Sequence, residues 1–303
     1  MKKNSRRAFL RSSSVFASVL ALSPAKLTSS NSILEVKMDG HKSQLRVVHT
    51  ADLNGMYAND DQIGGLNALG EYLNKLESSP LFLDAGNFLN PQKSLEENLK
   101  FAKDLVKKGV QIVSLGKSEM SFSAADLSYI ISESGLKVIG NNLESKGLIV
   151  GKTYYTKAIV KFGKYRLGIL PTQDLTLSAL NRKGLEMKIL DQCDTLIGLG
   201  GLPTNFSNSK ISSLGAKEHE IKHYLLNASD KIGVGSQIIL SSSGKEIWIS
   251  NPSEKAKLVS SFAYSMDKDY QINNISNLSF VPGNIPRVKM FAILSGNYST
   301  NQV

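Results

Sequence analysis

Four histidines, one cysteine and several short polar clusters at the ends of apolar runs are the residues with chemistry to offer in this chain. His219-Glu220-Ile221-Lys222-His223 is a literal H-E-x-x-H. On a helix the two imidazoles share a face and can hold zinc, with Glu220 as general base. At about 100° per residue, Ile221, Tyr224, Leu225 and Ala228 gather on one side of such a helix and the histidines on the other. Lys217, Glu218 and Lys222 add charge to it. A helix near 216–228 with a solvated histidine face is therefore expected, rather than a buried zinc helix. Cys193 lies in "CDTLIGLGG", which reads as a buried strand, so its thiol is expected to pack as a small hydrophobe. A lone cysteine also excludes an internal disulfide and a cysteine-based zinc cluster. "GNNLESKGLIVGK" lacks the spacing of a phosphate loop, "GLGGLP" completes no dinucleotide fingerprint, and no nucleophile elbow supports Ser-His-Asp catalysis.

The polar clusters are more regular. Asp52 and Asn54 follow the apolar run "QLRVVHT", Asn87 follows "PLFLDAG", and Lys117, Ser118 and Glu119 follow "VQIVSLG". Between these runs lie helical patterns. Leu66, Leu69, Leu73 and Leu76 form one stripe, and Leu95, Leu99, Ala102, Leu105 and Val106 form another, ended by lysines and Gly109. Ser123 is placed to cap a helix through "AADLSYIISES". Short buried strands alternating with helices predict a mainly parallel sheet covered on both faces. Loops leaving the C-terminal ends of such strands are where sites are built. Further on, "YYTKAIVKFGKYRLGILPT" predicts an antiparallel hairpin turning at Gly163-Lys164, and "SQIILS" and "EIWIS" predict strands.

The N-terminus stands apart. "NSRRAFLR" carries Arg6 and Arg7 ahead of Phe9 and Leu10, "VFASVLAL" is apolar, and Ser23 and Ala25 suit a peptidase. The pattern resembles a twin-arginine signal over residues 1–25, which implies export of an already folded protein. Lys2, Lys3, Arg6, Arg7 and Arg11 supply five of the ten units of formal net charge, so about half the basicity leaves with the signal. The other basic residues are scattered, without the arginine-aromatic platform that nucleic acid would need. Residues 26–43 are polar and aperiodic and read as a linker. A chain of 303 residues, 41% of them hydrophobic, suffices for one large domain. That domain is placed at 44–285, with 286–303 as a C-terminal tail, and no later apolar run is long enough to span a bilayer.

In order and spacing, "HTADLNG", "GGL", "LFLDAGNF" and "SLGKSEMSF" resemble the metallophosphoesterase (calcineurin-like) domain of the 5′-nucleotidase family. There the text runs H-T-N-D-L-H-G, G-G-L, L-L-D-A-G-D and L-G-N-H-E-F-D. "VIGNNL", "KYRLGILPT" and "CDTLIGLGGLP" resemble its later segments, so the resemblance covers roughly residues 44–203. It implies an α/β fold, a four-layer α/β/β/α sandwich, without the additional C-terminal substrate-binding domain of full-length nucleotidases. It also implies a site where two divalent metals bind phosphate and activate a water. Asp52 keeps the first ligand of that pattern. Asn54 stands at the second, a histidine, and Asn87 at the metal-bridging aspartate. Lys117 and Ser118 stand at the asparagine and histidine of G-N-H-E. Glu119 keeps the following acid, which is not a ligand. Gly201 stands at the histidine of L-S-H, and no G-H-x-H segment follows.

These departures remove the charge that two dications need. At about 4 Å and an effective dielectric near 20, each unit change is worth about 4 kcal/mol, and twice that against a dication. The expectation is an exported, catalytically degenerate relative that carries no metal. An Asp52–Lys117 ion pair is expected in the former site, completed by Asn54, Asn87 and Ser118 and open to a small anionic or nucleoside-like ligand. The alternative is a phosphoesterase whose Mn, Zn, Fe or Mg site is rebuilt from His49, Asp84, Glu119 or Asp60. Expected partners are the twin-arginine export machinery and signal peptidase, with no nucleic acid and no membrane span after cleavage. The expected location is the periplasm or another exported compartment.

Overall fold

The apolar runs form strands of two mixed sheets in a computed structural model. It describes residues 32–39, 43–58, 63–76, 78–203, 220–227, 234–270 and 272–283. The signal segment 1–25, the tail 286–303, His41, Asp60 and His219 lie outside these residues. In chain order the strands begin with β1 (Ile33–Met38), β2 (Gln44–Thr50), β3 (Leu81–Asp84), β4 (Val110–Ser114) and β5 (Val138–Ile139). Next come β6 (Tyr154–Tyr155), β7 (Lys157–Phe162), β8 (Tyr165–Pro171), β9 (Thr195–Gly200) and β10 (His223–Leu226). The last are β11 (Gly235–Leu240), β12 (Glu246–Asn251), β13 (Val259–Met266) and β14 (Ile272–Phe280). The helices are α1 (Gly65–Asn74), α2 (Leu95–Lys107), the short α3 (Lys117–Met120), α4 (Ala124–Ser134) and α5 (Leu177–Ile189).

One seven-stranded sheet has the order β1-β7-β8-β9-β10-β12-β11, the other β14-β13-β2-β3-β4-β5-β6. Strands β2 to β6 run parallel, as do β8, β9, β10 and β12. Alternation along β2 shows how the layers assemble. Leu45 and Val47 point into the core between the sheets, whereas Val48 points into the core under the helices. Phe82, Phe101, Leu105 and Leu127 fill that second core, and a third, containing Leu180, Leu196 and Tyr224, lies under α5. The result is the expected α/β/β/α sandwich. Capping agrees with the local sequence. Ser94 and Glu97 form a reciprocal capping box on α2, and Ser123 Oγ accepts from the Asp126 amide at 3.1 Å.

Four segments differ from the sequence reading. The stretch read as linker contains β1, which pairs in parallel with β7 and is pinned by a Glu35–Lys161 ion pair at 2.7 Å. The segment expected as a helix near 216–228 contains β10, held between β9 and β12 by parallel ladders on both sides. Pairing on two edges outweighs a weak helical periodicity. Helix α5 and the β13–β14 hairpin carry no strong signal, because serines and asparagines interrupt their apolar positions. The hairpin at Gly163-Lys164 forms as expected, with Phe162 opposite Tyr165.

Candidate functional site

Three loops meet where β2, β3 and β4 end. The first is laid against the second by backbone bonds: Asp52 N–H to Gly86 O (2.9 Å), Asn54 N–H to Asn87 O (3.0 Å) and Gly55 N–H to Phe88 O (2.7 Å). Asp52, Asn54 and Asn87 all have left-handed backbone, with φ of 53°, 52° and 59°. Asparagine and aspartate tolerate that region better than other side-chain-bearing residues, and such conformations gather at functional sites.

The carboxamide of Asn87 joins the loops. Its Nδ2 donates to Asp52 Oδ1 at 2.7 Å, and its Oδ1 accepts from the Ser118 amide at 2.9 Å. Gly116 leaves room for it, since a Cβ there would lie 2.2 Å from Asn87 Oδ1. Below, the buried Glu119 carboxylate accepts from three backbone amides: Asn87 (2.8 Å), Leu89 (2.8 Å) and Gly116 (2.7 Å). Burial pushes its carboxyl above the usual carboxylate range against the pull of those donors. Asn54 Nδ2 turns back to Asp52 O at 3.0 Å.

The expected residues therefore come together, but not in the expected way. Lys117 is exposed at the start of α3, and no ion pair links it to Asp52. A neutral amide fills the role assigned to the lysine. It lies deeper and supplies both a donor and an acceptor.

Of the residues of the alternative metal site, Asp60 lies outside the described residues, and His49, Asp84 and Glu119 are each fully buried. His49 shares the inward face of β2 with Leu45 and Val47 and is fully buried, and neither ring nitrogen has a partner. Burial pushes its pKa down to about 3. Asp84 shares the opposite, helix-facing side of its sheet with Phe82. There it accepts from Thr50 Oγ1 (2.7 Å) and the Gly86 amide (2.8 Å), and burial holds its carboxyl well above the usual range. Glu119 is occupied by its three amides. Among the described residues no three His, Cys, Asp or Glu side chains converge on a point that could take a metal. Among the described residues the donor set does not fit a two-metal centre.

The H-E-x-x-H reading is corrected in the same way. His223 is buried on β10, its Nδ1 bonded to the Tyr264 hydroxyl and its ring among Phe262, Trp248 and Tyr264. Glu220 pairs with Lys188 at 2.7 Å. Cys193 is buried as expected, and desolvation raises its thiol to about 11.

The sequence reading missed Asn227, the residue after β10. Its Nδ2 donates to Ala85 O at 2.6 Å and its amide to Gly200 O at 3.2 Å, so it ties the site ends of both sheets. A Cβ on Gly201 would sit 3.3 Å from its Oδ1. The short apolar run "HYLL" ending in asparagine was the available signal. On the rim, Lys183 Nζ donates to Asn141 Oδ1 at 2.9 Å, and burial lowers its pKa.

Two stacked sheets with helices outside and loops gathered at the C-terminal ends of β2, β3 and β4 define the metallophosphoesterase fold, seen in 5′-nucleotidases and calcineurin-like phosphoesterases. The chain is similar to a 5′-nucleotidase precursor from Thermus thermophilus (TM-score 0.62, 14% identity), covering 79% of this chain and 55% of that one. It is also similar to the NAD nucleotidase of Haemophilus influenzae (0.59, 13%), covering 79% and 50%. A third similar structure is the calcineurin-like phosphoesterase YfkN of Bacillus subtilis (0.55, 11%), covering 79% and 90%. The chain thus spans about half the length of the two nucleotidases. No family model and no curated protein matches the sequence.

Proposed function

We propose that this chain is an exported protein of the phosphoesterase fold that has given up metal-dependent hydrolysis and acts by binding a ligand or a partner. One observation carries the reading: Asn87, at the position of the metal-bridging aspartate, spends both ends of its amide on Asp52 and the Ser118 amide. A bridging group must present anionic oxygen to two cations. Here a nitrogen donor faces the one retained ligand carboxylate. Asn54 and Ser118 add neutral polar groups on the same loops, and Asn227 reaches Ala85 O beside them, a lining that suits a hydroxyl-bearing or weakly anionic small molecule better than a dication.

The test is metal content together with turnover. Mature protein, purified without chelator, is expected to hold no stoichiometric manganese, zinc, iron or magnesium. It should also leave AMP and a chromogenic phosphate monoester intact when each metal is added back. A tightly held ion accompanied by ester hydrolysis would overturn the reading. Thermal shift with inorganic phosphate and with nucleosides then separates a ligand-binding site from a purely structural remnant.

A further inference from the structure

The lateral edges of the sandwich are not guarded alike. Exposed strand edges template pairing with other chains unless charge, proline or shortness blocks them. At one end of the first sheet, β1 carries Glu35 and Lys37, and at one end of the second, β6 is two residues long. The other two ends are β11 (GSQIIL) and β14 (INNISNLSF), which hold no charged residue and no proline. Both are outermost in their sheets among the described residues, and they approach each other on the same flank. Ile239 packs toward the core under α5, so Ile238 and Leu240 face the other way, 50% and 63% exposed. Leu278 of β14 is 64% exposed. Strand β14 pairs with β13 in unbroken register over 274–280, with Asn273 as a bulged residue near its start, and the regular stretch offers an outer edge of about 23 Å.

We propose that this edge is a homodimer interface. β14 of one copy pairs antiparallel with β14 of a second about a two-fold axis, joining the two seven-stranded sheets into one. Charge selects the second copy as occupant. A two-fold contact sets each residue against its own surroundings, so any charge near the axis meets its like. Without residues 1–25, which hold five of the ten units of formal net charge, the chain is still net basic, and β14 carries no charge. β14 itself therefore brings no like-charge contact to the axis. The exposed Asn273, Asn274 and Ser276 are self-complementary, since amides and hydroxyls both donate and accept. Two-fold closure also uses up both β14 edges, so this contact does not propagate from copy to copy.

The experiment is analytical ultracentrifugation of the mature chain over a micromolar concentration series. Wild type is expected to sediment as a dimer. Ser276→Lys and Leu278→Lys change exposed side chains, so circular dichroism and thermal melting should match wild type. Their dimer dissociation constant should rise about tenfold or more, because each new charge meets its like. Hydrogen exchange at the amides of 272–280 should quicken in parallel, and Lys37→Ala on β1 should change nothing. A wild type that stays monomeric overturns the proposal, as does a dimer indifferent to both lysines. A monomer that dimerises only after residues 284–303 are deleted overturns it too, by showing that the chain covers its own edge.

Discussion

At the scale of single residues, Asn87 decides what the three loops can do. An amide donates at one end and accepts at the other, which is what Asp52 and the Ser118 amide require. A carboxylate there would meet the Asp52 carboxylate at hydrogen-bond distance with no proton between them. Asn87→Asp is expected to cost about 2–4 kcal/mol at neutral pH, given about 4 kcal/mol for like charges near 4 Å at an effective dielectric of 20. Acidification should return part of the loss, because a protonated carboxyl can donate again. Urea unfolding at neutral and mildly acid pH measures both. An unchanged midpoint at neutral pH would mean that the amide bridge does not hold the loops together. The same chemistry bears on reversal. The combination Asn54→His, Asn87→Asp, Lys117→Asn and Ser118→His rebuilds only part of the ligand set. Gly201 and Asn227 still stand where both sheets should converge, so no phosphate-ester hydrolysis is expected in a metal-supplemented assay.

At the scale of elements, what could be foreseen was whatever depends on local patterning. The strand–loop–helix units from β2 to α4, the Ser123 cap and the turn at Gly163-Lys164 each carry a signal within a few residues. Helices α1 and α2 fall on their leucine stripes for the same reason. Strand β10 could not be foreseen, because the pattern of Ile221, Tyr224 and Leu225 fits a helix as well as a strand. Only the flanking ladders of β9 and β12 decide between them. With that choice His223 turned from a solvated residue into a buried one, and Asn227 arrived at the site. The candidate site was legible as a set of residues, since Asp52, Asn54, Asn87, Ser118 and Glu119 gather around the loops as expected. The exception was Lys117, because its exposure depends on the rotation of a single-turn helix. That short helix is set by Glu119, whose carboxylate holds the amides of Asn87, Leu89 and Gly116. Glu119→Gln keeps the shape but places an NH2 group among donors and removes the charge assistance. A loss of about 2–3 kcal/mol in chemical denaturation, without a change in slope, is expected.

For the whole molecule, the space between the sheets holds a second kind of information. His49 faces that core from one sheet and His223, on the face of Leu225, from the other. Burial pushes both pKa values down to about 3 from an ordinary 6.5. The unfolded chain takes up protons at these rings as pH falls below 6.5, whereas the folded chain resists until about 3. Stability contributed by the neutral rings is therefore whole above 6.5 and declines between 6.5 and 3, at up to about 1.4 kcal/mol per pH unit for each ring. The two positions differ in what replaces the ring. His223 bonds to Tyr264, but both nitrogens of His49 are unpartnered, so an apolar residue of similar size loses no hydrogen bond there. His49→Leu is expected to raise the melting temperature at every pH and to raise it most near pH 5, flattening the acid limb without moving the neutral plateau as far. A variant whose melting curve falls with acid as steeply as wild type would place the proton uptake elsewhere. A variant less stable than wild type at neutral pH would mean that His49 has a buried partner, an ordered water being the simplest.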